Sequence, residues 1–153
     1  MNVLAPGTPA PEFTLSRQDG TSFTRADLLG ATTVLVFYPA AFSSVCSDQL
    51  ALYEEVLPEL AQRGASIYAV STDNRHSQRA FRAQLSSSIE QLSDFEPKGA
   101  TARAFGVMHE EKGYTQRALV IIGPDAVLRW SYVAPSTAEI PGANLIFDGL
   151  EKL

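Results

Sequence analysis

The chain has 153 residues, 45% hydrophobic and 19% charged, which fits one globular domain spanning residues 1–153 and excludes a disordered or fibrous protein. Its 12 Lys and Arg and 17 Asp and Glu residues give a formal net charge of -5, which argues against nucleic acid as a partner, because a phosphate backbone attracts a basic surface. The only cysteine, Cys46, excludes an intrachain disulfide, a CxxC redox pair and a four-thiolate metal site.

The first predicted elements are a hairpin and a buried strand. Residues 12–15 and 21–24 flank a turn sequence at 18–20, and together they predict a small N-terminal β-hairpin. Residues 33–38 form a continuous apolar run rich in β-branched side chains, which is typical of a strand buried on both faces of an α/β sheet. Pro39 ends this strand.

A helix and a second strand follow. Apolar residues recur at helical spacing over 50–61, and we expect a kink at Pro58, because proline removes a backbone donor and clashes with the preceding turn. Gly64 is a suitable residue for ending the helix. Residues 65–71 then predict a second buried strand.

The second half of the chain alternates between short elements of both kinds. The predicted elements are a helix capped by Asp73 or Asn74, a strand over 89–92, a helix over 100–105, a strand over 118–122, its antiparallel neighbour over 127–132, and a helix from Gly142 onward that includes Leu153. The order βαβα, then a β-hairpin and a helix, predicts an α/β protein with a thioredoxin-like fold, in which a central mixed sheet is flanked by helices.

Several other classes of protein find no support in the sequence. No segment reaches the roughly 18 consecutive apolar residues of a membrane span, and residues 1–7 lack the features of a secretory signal, so we expect a cytoplasmic protein with no membrane partner. The histidines, His76 and His109, are not part of a cluster with metal-ligand spacing, so no metal is expected. Glycine-rich nucleotide-binding motifs and the hydrolase nucleophile motif do not occur.

Cys46 lies between the strand over 33–38 and the helix that follows it. A lone cysteine is often a small buried hydrophobic residue. The carboxyl end of a central strand, however, is where open α/β sheets bind ligands. The unpaired N–H groups and the positive end of the dipole at a helix N-terminus also favour a thiolate over a thiol. The position therefore predicts a reactive sulfur.

Three neighbours of Cys46 each have a structural and a functional interpretation. Ser43 is either the N-cap of the helix or a hydroxyl that donates to an oxygen held beside the sulfur while it accepts from a backbone N–H. Pro39 either ends the strand or also shields the sulfur from water. Phe42 either packs the loop or lines an apolar pocket or a subunit contact.

The spacing of these residues matches a family signature. Pro39, Ser43 and Cys46 form the pattern Pro-x-x-x-Ser-x-x-Cys, with Phe37 and Phe42 on either side of the proline, and this pattern resembles the signature of the peroxiredoxins. Weaker matches extend the resemblance over essentially the whole chain, at residues 9–15, 93–95, 104–107 and 116–122. With one cysteine and the segment 93–100, the chain most resembles the bacterial one-cysteine branch called alkyl hydroperoxide reductase E.

The resemblance implies a thiol-dependent peroxidase that acts on hydrogen peroxide and organic hydroperoxides. Cys46 would become a sulfenic acid, to be reduced by an external thiol or a redoxin protein, with no metal, flavin or other cofactor, and the protein would be a homodimer. Arg117 stands where the family has an arginine that stabilises the thiolate and donates to peroxide, although an arginine there is more commonly a solvated strand end. The implied catalytic residues are Cys46, Arg117, Ser43 and Pro39, with the Cys46 N–H as a further donor.

Two positions depart from the family pattern. Ser43 replaces a common threonine, which keeps the hydroxyl but loses the methyl group that restricts its rotamers. Gln49 replaces a common glutamate, so we expect this position to lose a charged link to an arginine. The alternative to an enzyme is a non-enzymatic thioredoxin-like redox-sensing module, in which Cys46 would form a stable mixed disulfide with one partner.

Overall fold

A computed structural model describes residues 2–152 of the chain. Its elements, in chain order, are β1 (Thr14–Ser16), β2 (Ser22–Thr24), a 3-10 helix (Arg25–Leu28), β3 (Thr32–Phe37), α1 (Ser44–Glu54), α2 (Leu57–Gln62), β4 (Ala65–Ser71), α3 (Arg75–Leu85), β5 (Glu90–Ser93), α4 (Ala100–Phe105), β6 (Met108–His109), β7 (Tyr114–Thr115), β8 (Ala118–Ile122), β9 (Leu128–Val133) and α5 (Ala143–Leu150).

Seven of the strands form one mixed sheet in the order β2-β1-β5-β4-β3-β8-β9. The central strands β3, β4 and β5 are parallel, whereas β8 runs antiparallel to β3, and β9 runs antiparallel to β8. The N-terminal hairpin of β1 and β2 joins the opposite edge, where Ser16 pairs with Ser93. The predicted mixed sheet, its flanking helices and the N-terminal hairpin are confirmed.

The two faces of the sheet are covered by separate apolar layers. Side chains alternate along a strand, so Leu35 and Phe37 of β3 point into one layer, and Val34 and Val36 point into the other. The second layer contains buried residues of α1, α2, α3 and α5, including Cys46. Helix α1 therefore lies against the sheet beside β3, and its first turn follows the carboxyl end of that strand.

The expected kink at Pro58 is instead a break between two helices. Helix α1 ends at Glu54 and α2 begins at Leu57, which makes Pro58 the second residue of the new helix. A proline fits there because the first N–H groups of a helix have no intrahelical acceptor. The prediction of one kinked helix was therefore wrong.

Other boundaries agree to within about two residues. Asn74 caps α3 by accepting from the Ser77 N–H at 2.9 Å, whereas Asp73 accepts from the Ala41 N–H at 2.8 Å. The hairpin of β6 and β7 was not predicted, and Leu153 lies outside the described residues. Among residues 2–152, no helix has the length and apolar character that crossing a membrane requires.

Candidate active site

The first turn of α1 places Cys46 at the positive end of the helix. Ser43 is the N-cap, and its Oγ accepts from the Cys46 N–H at 3.1 Å. Cys46 is fully buried, so its sulfur is close to the unpaired N–H groups of the first turn and away from bulk water. The Cys46 N–H is thus bonded to Ser43 in this structure, and within residues 2–152 the Ser43 O–H has no hydrogen-bond acceptor.

Arg117 reaches the sulfur from the neighbouring strand. Because β8 is antiparallel to β3, with Ala118 paired to Phe37, its amino end lies beside the carboxyl end of β3. Arg117 immediately precedes β8, is 2% exposed, and donates from Nη2 to Cys46 Sγ at 3.3 Å. The interpretation of Arg117 as a solvated strand end is wrong.

The other contacts of the guanidinium are with neutral oxygens. Nη1 donates to Gln49 Oε1 at 2.5 Å, and Nε and Nη2 donate to the Thr137 carbonyl at 2.9 and 2.8 Å. None of the ion pairs found within residues 2–152 includes Arg117. The positive charge therefore faces the sulfur, and none of the carboxylates within residues 2–152 forms an ion pair with it.

Gln49 makes a neutral hydrogen bond to the arginine in place of the charged link that was expected to be lost. The side chain is fully buried, and its amide oxygen accepts from Arg117 while its nitrogen donates to the Tyr53 hydroxyl at 3.1 Å. Tyr53 in turn donates to the Pro141 carbonyl at 2.6 Å. A neutral amide thus holds the guanidinium at this position.

A cavity of about 310 Å³ adjoins the sulfur site. Its lining residues are Pro39, Ala40, Ser43, Val45, Tyr114, Arg117, Thr137 and Ala138. The structure therefore brings the predicted residues Pro39, Ser43 and Arg117 around one space, with Cys46 bonded to two of them.

The loop between β3 and α1 is held by contacts outside the cavity. Asp73 binds the Ala41 N–H, and Ser71 Oγ donates to the same carboxylate oxygen at 2.8 Å. Phe42 adopts a φ of 70°, which is uncommon for a bulky residue, and its half-exposed ring lies 5.3 Å from the Phe81 ring. The contact with Phe81 agrees with packing of the loop, and the exposed half of the ring leaves the interpretation as a subunit contact open.

Sequence reasoning missed Thr137, Tyr53 and Asp73 as parts of the site. Thr137 acts through its backbone carbonyl, which gives no signal in the residue type. Tyr53 appeared only as an apolar position of the helix, and Asp73 only as a possible cap. Within residues 2–152, no group of three or more His, Cys, Asp and Glu side chains is arranged to hold a metal ion.

Comparisons with known proteins show the family of this chain. The AhpC/TSA family matches residues 6–131. Alkyl hydroperoxide reductase E of Mycobacterium tuberculosis is 31% identical over 152 residues, which cover 99% of each chain. The crystal structure of Enterococcus faecalis AhpC superposes with a TM-score of 0.86 at 26% identity, over 99% of this chain and 92% of that one. Peroxidoxin BcpB of Mycobacterium tuberculosis gives a TM-score of 0.81 at 25% identity, over 97% and 96%.

The fold and the buried cysteine at a helix N-terminus define a thioredoxin-like thiol protein. The chain belongs to the AhpC/TSA family, the peroxiredoxins. It is accordingly a thiol peroxidase, and its one cysteine fits a one-cysteine mechanism.

Proposed function

We propose that Cys46, Arg117, Ser43 and Pro39 form the site at which this protein reduces hydrogen peroxide and organic hydroperoxides. The observation that carries the assignment is the 3.3 Å contact from Arg117 Nη2 to the Cys46 sulfur. A buried guanidinium beside a buried sulfur stabilises the nucleophile and presents N–H donors where a peroxide oxygen would lie. The 310 Å³ cavity lies within the range of small-molecule sites, so it has room for an organic hydroperoxide.

The reaction begins with attack of the Cys46 thiolate on the terminal oxygen of the peroxide. A sulfur–oxygen bond forms and the O–O bond breaks, so the sulfur loses two electrons and becomes a sulfenic acid. The second oxygen leaves as hydroxide or alkoxide and takes a proton from solvent to give water or an alcohol. Arg117 and the free Ser43 O–H donate to the oxygens as charge develops on the leaving group.

The reducing half of the cycle needs thiols from outside the chain, because the sequence holds no second cysteine. One external thiol displaces water from the sulfenic acid and forms a mixed disulfide with Cys46. A second thiol, free or on a redoxin protein, attacks that disulfide and releases the Cys46 thiol. The external pair leaves as a disulfide, so the two external thiols supply the two electrons that the peroxide received.

The proposed setting is the cytoplasm, and the proposed assembly is a homodimer. A lone thiol that depends on external thiols is suited to a reducing compartment. The half-exposed rings of Phe42 (51%) and Phe95 (49%) offer apolar surface to a second copy. Sedimentation velocity of the reduced protein tests the assembly, and a monomer at micromolar concentration would contradict it.

A panel of peroxides tests the function. The reduced protein is mixed with hydrogen peroxide, tert-butyl hydroperoxide or cumene hydroperoxide, with dithiothreitol as the reductant, and peroxide consumption is followed. We expect turnover of all three, and none with Cys46→Ser. Slow reaction with every peroxide, together with a stable mixed disulfide to one partner protein, would favour the redox-sensing module instead.

A further inference from the structure

The Tyr53 hydroxyl is buried and ends a chain of hydrogen bonds that begins at Arg117. Tyr53 lies four residues after Gln49 on α1, so the two side chains are on the same face of the helix. Gln49 Nε2 donates to the Tyr53 hydroxyl at 3.1 Å, and that hydroxyl donates to the Pro141 carbonyl at 2.6 Å. This series of hydrogen bonds thus connects the Arg117 guanidinium to the backbone just before α5.

Only one direction of donation satisfies every member of this chain. A guanidinium is a donor only, so Gln49 must turn its oxygen to Arg117 and its nitrogen to Tyr53. The Tyr53 oxygen then accepts, and its hydrogen goes to the Pro141 carbonyl, which is an acceptor only. Burial raises the pKa of Tyr53 to about 12, so the hydroxyl keeps the proton that this arrangement needs.

The orientation of Gln49 matters because its two ends are different. A carboxylate at this position would offer an acceptor to Arg117 in either orientation. An amide that was turned over would place an NH₂ group against the donor-only guanidinium. Gln49 is fully buried, so the neighbouring protein groups must decide which end faces Arg117.

We propose that Tyr53 is a positioning residue for peroxide reduction. Its hydroxyl fixes the Gln49 amide, and the amide oxygen holds Arg117 against the Cys46 sulfur. This inference rests on the proposed function of the Cys46 site. It assigns to Tyr53 a role that a glutamate at position 49 would make unnecessary.

The test compares the effect of Tyr53→Phe in two backgrounds, with Gln49 present and with Gln49→Glu. Phenylalanine keeps the ring and removes only the hydroxyl. With Gln49 we expect the rate of reaction with hydrogen peroxide to fall by about threefold to tenfold, the usual effect of losing one buried hydrogen bond. With Gln49→Glu we expect Tyr53→Phe to change the rate by less than about twofold, because the carboxylate needs no orienting donor. A loss of similar size in both backgrounds, or none in either, would overturn the proposal.

A second readout separates this proposal from the proposed function. The ratio of the Cys46 alkylation rates by iodoacetamide at pH 6 and pH 9 reports how Arg117 affects the reactivity of the sulfur, whether or not the protein reduces peroxide. Tyr53→Phe should lower that ratio only with Gln49 present, and an unchanged ratio in correctly folded protein would overturn the positioning role. The matched control is Tyr68→Phe, which removes the hydroxyl of a β4 residue whose ring packs against Phe23. This variant should leave both the rate of reaction with peroxide and the alkylation ratio unchanged. If Tyr53→Phe lowers the alkylation ratio only with Gln49 present, but the wild-type protein reacts with peroxide no faster than free cysteine, the proposed function fails, whereas the effect of Tyr53 on the placement of Arg117 stands.

Discussion

Replacing Arg117 with lysine would keep the positive charge and remove the planar fork that binds several acceptors at once. The guanidinium reaches Cys46 Sγ at 3.3 Å, Gln49 Oε1 at 2.5 Å and the Thr137 carbonyl at 2.8 and 2.9 Å. A lysine has one nitrogen and cannot span these positions. Losing one hydrogen bond to a charged group costs about 1.5–3 kcal/mol, which corresponds to a peroxide reaction slower by about tenfold to a hundredfold.

The assay is stopped-flow measurement of thiol loss after the reduced Arg117→Lys protein is mixed with hydrogen peroxide. Arg63→Lys is the matched control, because the Arg63 guanidinium lies 4.9 Å above the Phe147 ring, and this variant should react at the wild-type rate. Circular dichroism checks that both variants are folded. If Arg117→Lys reacts within about twofold of the wild type, the guanidinium fork is not the donor and the site assignment is refuted.

Substitutions at three further positions test the cap, the pH dependence of stability and the packing. Ser43→Ala removes the acceptor of the Cys46 N–H and should lower the free energy of unfolding in urea by about 1 kcal/mol. Ser43→Thr keeps a hydroxyl and should retain most of that stability. Equal stability of the wild type and both variants would contradict the role of Ser43 as a helix cap. Burial raises the pKa of Asp94, so the folded state binds a proton on this carboxylate more tightly than the unfolded state does. The stability of the wild type relative to Asp94→Asn, measured by urea titration, should therefore be greatest at pH values below the ordinary pKa of aspartate. It should fall as the pH rises through the raised pKa of Asp94. A relative stability that increased with pH would contradict the effect of burial. Gly149→Ala would place a methyl group 2.6 Å from the Trp130 ring. This overpacking should destabilise the fold by about 1–3 kcal/mol and lower the melting temperature, although alanine has the better helix propensity. An unchanged melting temperature would argue against close packing of α5 on β9.

The parts of the site that could be predicted have side chains with distinctive chemistry in a short, ordered pattern. Pro39, Ser43 and Cys46 lie within eight residues, and the loop that contains them follows a long apolar strand. Arg117 could be placed beside them only through the resemblance to the family, because its approach to Cys46 depends on β8 running antiparallel to β3. Continuous apolar runs also predicted the central strands, with boundaries close to the observed ones.

The parts that could not be predicted depend on neutral groups and on short elements. Thr137 contributes a carbonyl that every residue possesses, and Gln49 binds Arg117 only because the fold places its amide oxygen there. The strands β6 and β7 have two residues each, too few to show a period of two. Pro58 could mark either a kink within one helix or the first turn of a new one, and the backbone between Glu54 and Leu57 decides in favour of the second.

The most direct test of the account is the reaction of reduced protein with a stoichiometric amount of hydrogen peroxide. It is followed by stopped flow, with a sulfenic-acid trap and mass spectrometry to locate the product. The account predicts thiol loss far faster than for free cysteine and one added oxygen atom on Cys46, with no such reaction in Cys46→Ser. A rate no faster than that of free cysteine, or full peroxidase activity in Cys46→Ser, would contradict it.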